Sequence, residues 1–183
     1  MTEEYIVRNC APTLAGIKTA SMFSCPFDGH DKLRAFLQNM NSRLNPKGII
    51  ILPLKVSEKR ALIYVYRPDR LSNDICDKRA NKLLSQSGYN TSCCQRCIVE
   101  LIKKIRHQDE FPHEIGLFLG YPPEDVKGFI ENRAQDYKLS GLWKVYGDEE
   151  KARKRFDLFK KCDRVYFKRW LQGTDIERLT VAA

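Results

Sequence analysis

The sequence predicts an α/β protein of the α+β type, in which helices cover a small mixed or antiparallel sheet of about four to five strands. Two neighbouring runs, residues 48–56 and 61–67, are rich in the branched and aromatic side chains that favour strands. Long segments such as residues 30–44 instead carry apolar side chains at helical spacing. At 183 residues the chain fits one domain, residues 1–183, with a substantial core.

The predicted strands begin with a hairpin. Residues 48–56 are dominated by Ile and Leu, which indicates a buried strand. Residues 61–67 follow after a short polar turn, so the two strands should pair. The remaining predicted strands are residues 17–23, residues 138–146 and, as a last edge strand, residues 176–181.

Five segments are predicted to be helices. Thr2 is placed to cap the first of them, and Pro12 is expected to break it or to start another. Pro68 suits the first position of the third helix, and a Ser-Gly-Tyr-Asn sequence breaks that helix near Gly88. The predicted helices are residues 2–9, 30–44, 68–85, 91–107 and 147–172.

Residues 111–130 predict two short helices joined by a tight turn, and we expect the rest of the chain to pack around them. Gly120 is a left-handed stop for the first helix, and Pro122 begins the turn that starts the second. Glu124 and Asp125 then lie in a first turn, where the helix dipole favours negative charge. The pattern is also that of a DNA-reading helix-turn-helix, but these acidic side chains would repel phosphates in a groove.

Composition and charge restrict the class of protein. The chain has no apolar run long enough to cross a membrane, and its acidic N-terminus lacks the pattern of a secretory signal. Together with seven cysteines, this predicts a cytoplasmic protein with free thiols. The net charge of +9 would attract nucleic acid or an acidic partner, but it is equally typical of solvated helix faces. Nucleic-acid binding is therefore an alternative that we do not favour.

Three residues have the side chains of a catalytic site. Cys10 lies before Pro12 in a segment rich in small residues, and His113 and Glu114 lie at a predicted helix start. A helix N-terminus disfavours a protonated His, so His113 could accept a proton from a thiol and form a thiolate–imidazolium pair. A cysteine-dependent enzyme is therefore a second alternative, against the simpler interpretation that Cys10 is a small buried residue and Glu114 an end-of-helix residue.

Cys94 and Cys97 form a Cys-x-x-Cys motif at the front of a predicted helix, where a thiol pKa can be lowered. They are weak candidates for a metal or redox site, because a structural zinc site needs a second pair of ligands at similar spacing. The nearest other cysteine, Cys76, is isolated in the sequence. Buried inert thiols are the simpler interpretation.

Three distant segments of the chain form a distinctive combination. They are Cys-Ala-Pro-Thr-Leu-Ala-Gly-Ile-Lys at 10–18, Phe-Pro-His-Glu-Ile-Gly-Leu-Phe-Leu-Gly-Tyr-Pro at 111–122 and Trp-Lys-Val-Tyr-Gly-Asp-Glu-Glu-Lys-Ala at 143–152. Together they resemble a bacterial family known only as domain-of-unknown-function family 3793. The resemblance implies a cytoplasmic protein of an anaerobic-type bacterium, but no activity and no particular cofactor. The resemblance also suggests an association with flavodoxins and with metal uptake. Such an association favours a redox or metal-linked role and a redox partner.

Our leading hypothesis is a small-molecule or metal/redox-linked binding protein, since the three segments combine polar residues with Gly and Pro turns. Trp143 and Tyr146 would supply an aromatic wall, and Lys18 or Lys144 would fix an anionic group. The expected ligand is therefore a small anionic or aromatic molecule. The predicted site gathers Cys10, Lys18, His113, Glu114, Trp143, Lys144 and Tyr146.

Overall fold

The computed structural model describes residues 1–107 and 111–182 and divides the chain into two compact units. The first unit contains Met1–Asp69 and the chain from Phe159 onward, and the second unit contains Arg70–Leu158. Over the described residues the fold is mixed α+β, with nine helices, one three-stranded antiparallel sheet and one two-stranded hairpin. The predicted class is therefore confirmed, with the five strands divided between two sheets.

The sheet of the first unit has the order β1-β3-β2 and is antiparallel throughout. Its strands are β1 (Ala20–Pro26), β2 (Ile50–Val56) and β3 (Arg60–Tyr66). The predicted β2–β3 hairpin is confirmed, and its turn is closed by the Ser57 N–H, which donates to the Arg60 carbonyl at 2.9 Å. The register shifts between Pro53 and Lys55, as expected where a proline cannot donate to a strand ladder.

Two helices, α1 (Glu3–Leu14) and α2 (His30–Leu44), supply most of the helical side of the first unit's core. The bounds of α2 match the predicted helix. The buried guanidinium of Arg67 donates to the carbonyls of Thr13, Leu14 and Val181, which ties the end of α1 to the C-terminal segment. The core includes Ile6, Val7, Cys10, Leu14, Phe23, Leu37, Met40, Leu44, Ile51, Ile63, Val65, Ile176 and Leu179.

Two predictions for the first unit are wrong, and a third is confirmed only in part. Pro12 lies inside the last turn of α1 rather than breaking it. Thr2 occupies the N-cap position as predicted, but its side chain makes no capping hydrogen bond. Residues 176–181 do not form a strand, because α9 (Ile176–Leu179) starts there. The reason is local: the carboxylate of Asp175 accepts a hydrogen bond from the Glu177 N–H and caps that short helix.

Residues 68–85, predicted as one helix, form two. The helices are α3 (Pro68–Cys76) and α4 (Lys78–Gln86), and they are separated at Asp77. Asp77 accepts hydrogen bonds from the N–H groups of Arg79 and Ala80, so it caps α4 instead of continuing α3. The next helices are α5 (Cys94–His107), α6 (Ile115–Phe118), α7 (Pro123–Glu131) and α8 (Glu149–Leu171).

The predicted strand 138–146 is a short hairpin, β4 (Leu139–Ser140) paired with β5 (Lys144–Val145). The chain reverses at Gly141, whose N–H donates to the Trp143 carbonyl at 3.1 Å. A side chain at Gly141 would collide with the ring of Phe156, so glycine is what allows the reversal to pack there. Among the described residues, no helix has both the length and the apolar character needed to span a bilayer.

Candidate ligand pocket in the second unit

The predicted pair of short helices in residues 111–130 is confirmed as α6 and α7, although α6 begins at Ile115, so that His113 and Glu114 precede it. Gly120 ends the turn after α6 with φ 74°, the left-handed conformation that favours glycine. Gly116 brings the two helices close, since a Cβ built there would lie 2.7 Å from Val126 Cγ2. The spacing of apolar residues and glycines thus sets a tight α6–α7 corner.

Asp125, in the first turn of α7, holds the β5 strand against this corner. Its carboxylate is buried and accepts three hydrogen bonds: from the Trp143 indole Nε1 at 2.7 Å, and from the Tyr146 and Gly147 N–H groups at 2.8 Å each. Its place near a helix N-terminus also suits a negative charge. The sequence pattern indicates Asp125 only as a helix-start residue and gives no sign of these contacts. We call the three hydrogen bonds to its carboxylate the Asp125 clamp.

A pocket of about 410 Å³ opens beside the clamp, and every residue that lines it belongs to the second unit. We call it the aromatic pocket. Its volume lies within the range of small-molecule sites, roughly 300–1,000 Å³. The lining is mostly aromatic and aliphatic, with a few polar groups, and consists of Phe111, Pro112, His113, Ile115, Gly116, Tyr121, Asp125, Val126, Phe129, Ser140, Gly141, Leu142, Trp143 and Lys144.

Trp143 forms a rigid wall of the aromatic pocket. Its ring is stacked on Tyr121, with centroids 4.8 Å apart and planes inclined by 24°. Phe156 meets the same indole edge to face at 4.5 Å. Because Asp125 also holds the indole N–H, the orientation of Trp143 is fixed by three contacts, and only 9% of its surface is exposed.

His113 and Lys144 bring polar groups to the lining. The His113 ring packs edge to face on Phe129 at 5.2 Å. The Lys144 ammonium donates to the Ala134 carbonyl at 2.6 Å and lies 4.6 Å from the centre of the Tyr137 ring. Three of the predicted site residues, His113, Trp143 and Lys144, therefore line one pocket.

Glu114 lies outside that lining, in a buried hydrogen-bonded network. Its Oε1 accepts a hydrogen bond from the Tyr89 hydroxyl at 3.0 Å and from the Lys104 ammonium at 3.1 Å. Burial, followed by the neighbouring Glu114 carboxylate, raises the pKa of Tyr89. The network anchors the chain directly before α6, at the residue that follows His113 in the sequence.

Tyr146 is also beside the lining rather than in it. Its ring covers Gly128, where an added Cβ would collide with it, and its hydroxyl donates to the Gln135 carbonyl at 2.8 Å. With its N–H bound to Asp125, Tyr146 fixes the end of β5 against α7.

Cys10 and Lys18, the other two residues of the predicted site, belong to the first unit. Cys10 is fully buried, and burial raises the pKa of its thiol, which opposes formation of a thiolate. Burial also lowers the pKa of Lys18 and raises the pKa of Asp163. The negative charge of Asp163 partly offsets the shift of Lys18, and the positive charge of Lys18 partly offsets the shift of Asp163. The three groups interact electrostatically within the first unit.

Cys94 and Cys97 lie in the first turn of α5, and both are free thiols. Burial, followed by neighbouring thiols, raises the pKa of Cys94 to about 11; Cys76 is one of those thiols. Cys76 is thus isolated in the sequence but not in the fold. Within residues 1–107 and 111–182, no group of three or more His, Cys, Asp and Glu side chains is arranged to hold a metal ion.

Comparison with known proteins gives one match. No curated protein and no solved structure matches the chain. A family model described as a protein of unknown function, DUF3793, covers residues 6–180, which include both the α1 segment and the aromatic pocket. The chain therefore belongs to the DUF3793 family.

Proposed function

We propose that this protein binds a small, flat aromatic molecule carrying an anionic group, and that the aromatic pocket is its site. The observation that carries the proposal is the pocket itself: a cavity of about 410 Å³ with aromatic walls and a small number of polar groups. Sites for small molecules combine these features, because apolar walls supply affinity and a few polar groups fix orientation.

The walls favour a planar ligand. Trp143 is held by Asp125, Tyr121 and Phe156 before any ligand arrives, so stacking on it costs little side-chain entropy. Phe111 and Phe129 add further ring surface to the same lining. Aromatic pairs gain about 0.5–1.5 kcal/mol beyond the area they bury, which rewards a ring over an aliphatic chain of equal size.

The polar groups favour an anionic substituent. An ammonium has three N–H donors, and Lys144 uses one of them on the Ala134 carbonyl. The negative charge of Asp125 is already met by three N–H donors, so it competes weakly for the same ammonium. A carboxylate, sulfonate or phosphate at the Lys144 side would therefore find a charged donor.

The test uses two fluorescent probes of similar shape, anionic anilinonaphthalene sulfonate and neutral N-phenylnaphthylamine. The chain has two tryptophans, so the Trp170→Phe variant leaves Trp143 as the only indole. Both probes are expected to quench Trp143 and to gain fluorescence by energy transfer from it. Binding that leaves Trp143 emission unchanged would refute the proposed site.

Lys144→Met is expected to lower the affinity for the anionic probe roughly tenfold, the equivalent of about 1.4 kcal/mol, and to leave the affinity for the neutral probe unchanged. Lys138→Met is the matched control. Lys138 precedes the same hairpin and also donates to a backbone carbonyl, that of Gly147, but it is absent from the lining. An equal loss for both probes, or an equal loss in both variants, would contradict the assigned role of Lys144. Circular dichroism must first show that each variant is folded.

A further inference from the structure

Four of the seven cysteines come together in the second unit. Cys93, Cys94 and Cys97 surround the start of α5, and the thiol of Cys94 interacts electrostatically with those of Cys93, Cys97 and Cys76. We call these four residues the thiol cluster. Cys97 is buried, Cys93 and Cys94 are partly exposed, and Cys76 is exposed at the end of α3. Solvent therefore reaches one side of the thiol cluster and not the other.

The two thiols of the Cys-x-x-Cys motif have the best geometry for bonding to each other. Residues three apart on a helix lie on one face with Cβ atoms about 5–6 Å apart, whereas a disulfide needs about 3.5–4.5 Å. Closing that gap takes a movement of about 1–2 Å at the start of α5, where the N–H groups of the first residues have no partners inside the helix. The Cys97 N–H makes the first hydrogen bond of that helix, to the Cys93 carbonyl at 3.2 Å.

The other pairings are less suitable. Adjacent trans residues such as Cys93 and Cys94 have Cα atoms about 3.8 Å apart, closer than the roughly 4.4–6.8 Å of ordinary disulfides. Cys76 lies at the end of a different helix, α3. The thiols of Cys93 and Cys97 also have different hydrogen-bond acceptors. The Cys93 thiol donates to the Gln95 side chain at 2.7 Å, and the Cys97 thiol donates to the Asn90 carbonyl at 3.2 Å.

We propose that Cys94 and Cys97 are a site of reversible oxidation, at which an azo or disulfide oxidant converts the two thiols into an internal disulfide. Partly exposed Cys94 reacts first: with an azodicarboxamide its sulfur adds to one nitrogen of the N=N bond, and its proton passes to the other. The Cys97 sulfur then attacks the Cys94 sulfur and breaks the S–N bond. The Cys97 proton goes to the departing nitrogen, so two thiols become one disulfide and the azo compound becomes a hydrazine.

Burial, followed by the neighbouring thiols, raises the pKa of Cys94, so little of this thiol is ionised near neutral pH. The first step is therefore slow there, because the thiolate is the reacting form. Mild alkaline conditions are therefore the appropriate setting for the experiment.

The test treats the full chain with the azodicarboxamide diamide, blocks free thiols and digests without reduction. Trypsin cleaves between Arg96 and Cys97, so the proposed bond joins the peptide of residues 83–96 to that of residues 97–103. This linked pair should lack two hydrogen atoms relative to its parts and should disappear after treatment with dithiothreitol. A dominant link to the Cys76 peptide, or no link while Cys94 is still consumed, would overturn the assignment.

Variants identify the sulfur atoms, since Cys93 and Cys94 share one tryptic peptide. Cys94→Ser and Cys97→Ser should each abolish the linked pair, and the matched control Cys93→Ser should keep it. Loss of the pair in Cys93→Ser, or its survival in Cys94→Ser, would refute the proposal. Cys94 is partly exposed, so its variant remains informative even if replacement of buried Cys97 prevents folding.

Discussion

Substitution of Asp125 by Asn is the most direct test of how the second unit is held together. Asn keeps the shape but places an NH₂ group where one carboxylate oxygen accepts a hydrogen bond. If its remaining oxygen serves the Tyr146 and Gly147 N–H groups, the NH₂ faces the Trp143 indole N–H, donor against donor. An unsatisfied buried donor costs about 1–3 kcal/mol, and hydrogen bonds to a neutral acceptor are weaker than those to a charged one. Removing a buried charge offsets part of this loss, so we expect about 2–3 kcal/mol of destabilisation.

The assay is urea unfolding followed by Trp143 emission in the Trp170→Phe background. With a slope of about 1–3 kcal/mol per molar urea, the midpoint should fall by roughly 0.7–3 M, and the folded-state emission should shift to the red. Glu124→Gln is the control, because Glu124 is the adjacent acid and pairs with Arg79 at the surface at 3.1 Å. Such pairs contribute about 0–1 kcal/mol. A midpoint shift for Asp125→Asn no larger than that for Glu124→Gln would refute the Asp125 clamp.

Three further perturbations have definite expected outcomes. Lys104→Met leaves the buried Glu114 carboxylate without its ammonium and should lower the free energy of unfolding by roughly 2–3 kcal/mol in urea titration, less than for a fully buried pair because 21% of the Lys104 side chain is exposed. Gly128→Ala places a methyl group against the Tyr146 ring and should cost roughly 1–3 kcal/mol in the same measurement; an unchanged midpoint would contradict the packing. Folding raises the pKa of Cys94 from about 9 to about 11, because burial favours the neutral thiol. The folded state keeps its full stability below pH 9 and loses this contribution as the pH rises towards 11, where the unfolded chain has already released the proton. Urea midpoints across that interval should fall, and alkylation of Cys94 should accelerate about tenfold per pH unit.

Elements with strong local patterns were predictable. The helix α2 (His30–Leu44) has its predicted bounds because its apolar spacing and its flanking glycines act together. The β2–β3 hairpin was predictable because two β-rich runs flank a short turn. Prediction failed where one side chain decides between two structures. Asp77 and Asp175 each accept a backbone N–H and start a helix, where the pattern indicated a continuing helix or a strand.

The candidate site was predictable only as far as local segments reach. His113 and Trp143 were selected from their own motifs, and the fold places both in one pocket lining. The role of Asp125 could not be predicted, because its indole partner lies 18 residues along the chain and nothing in the spacing indicates that contact. Cys10 and Lys18 belong to the first unit, so their predicted part in the same site stays a prediction.

The residues that line the aromatic pocket lie close together in the sequence. All its lining residues come from one continuous segment, residues 111–144. The chain closes a short loop to form it, which costs less entropy than joining distant segments. The Asp125 clamp then fixes the aromatic wall from within that unit, so pocket geometry and local stability depend on the same hydrogen bonds. Substitutions that loosen the clamp should therefore weaken the binding of a planar ligand even where they do not touch it. Lys144→Met should instead weaken the binding of an anion, and its cost in stability should be limited to about 1 kcal/mol for the lost hydrogen bond to the Ala134 carbonyl.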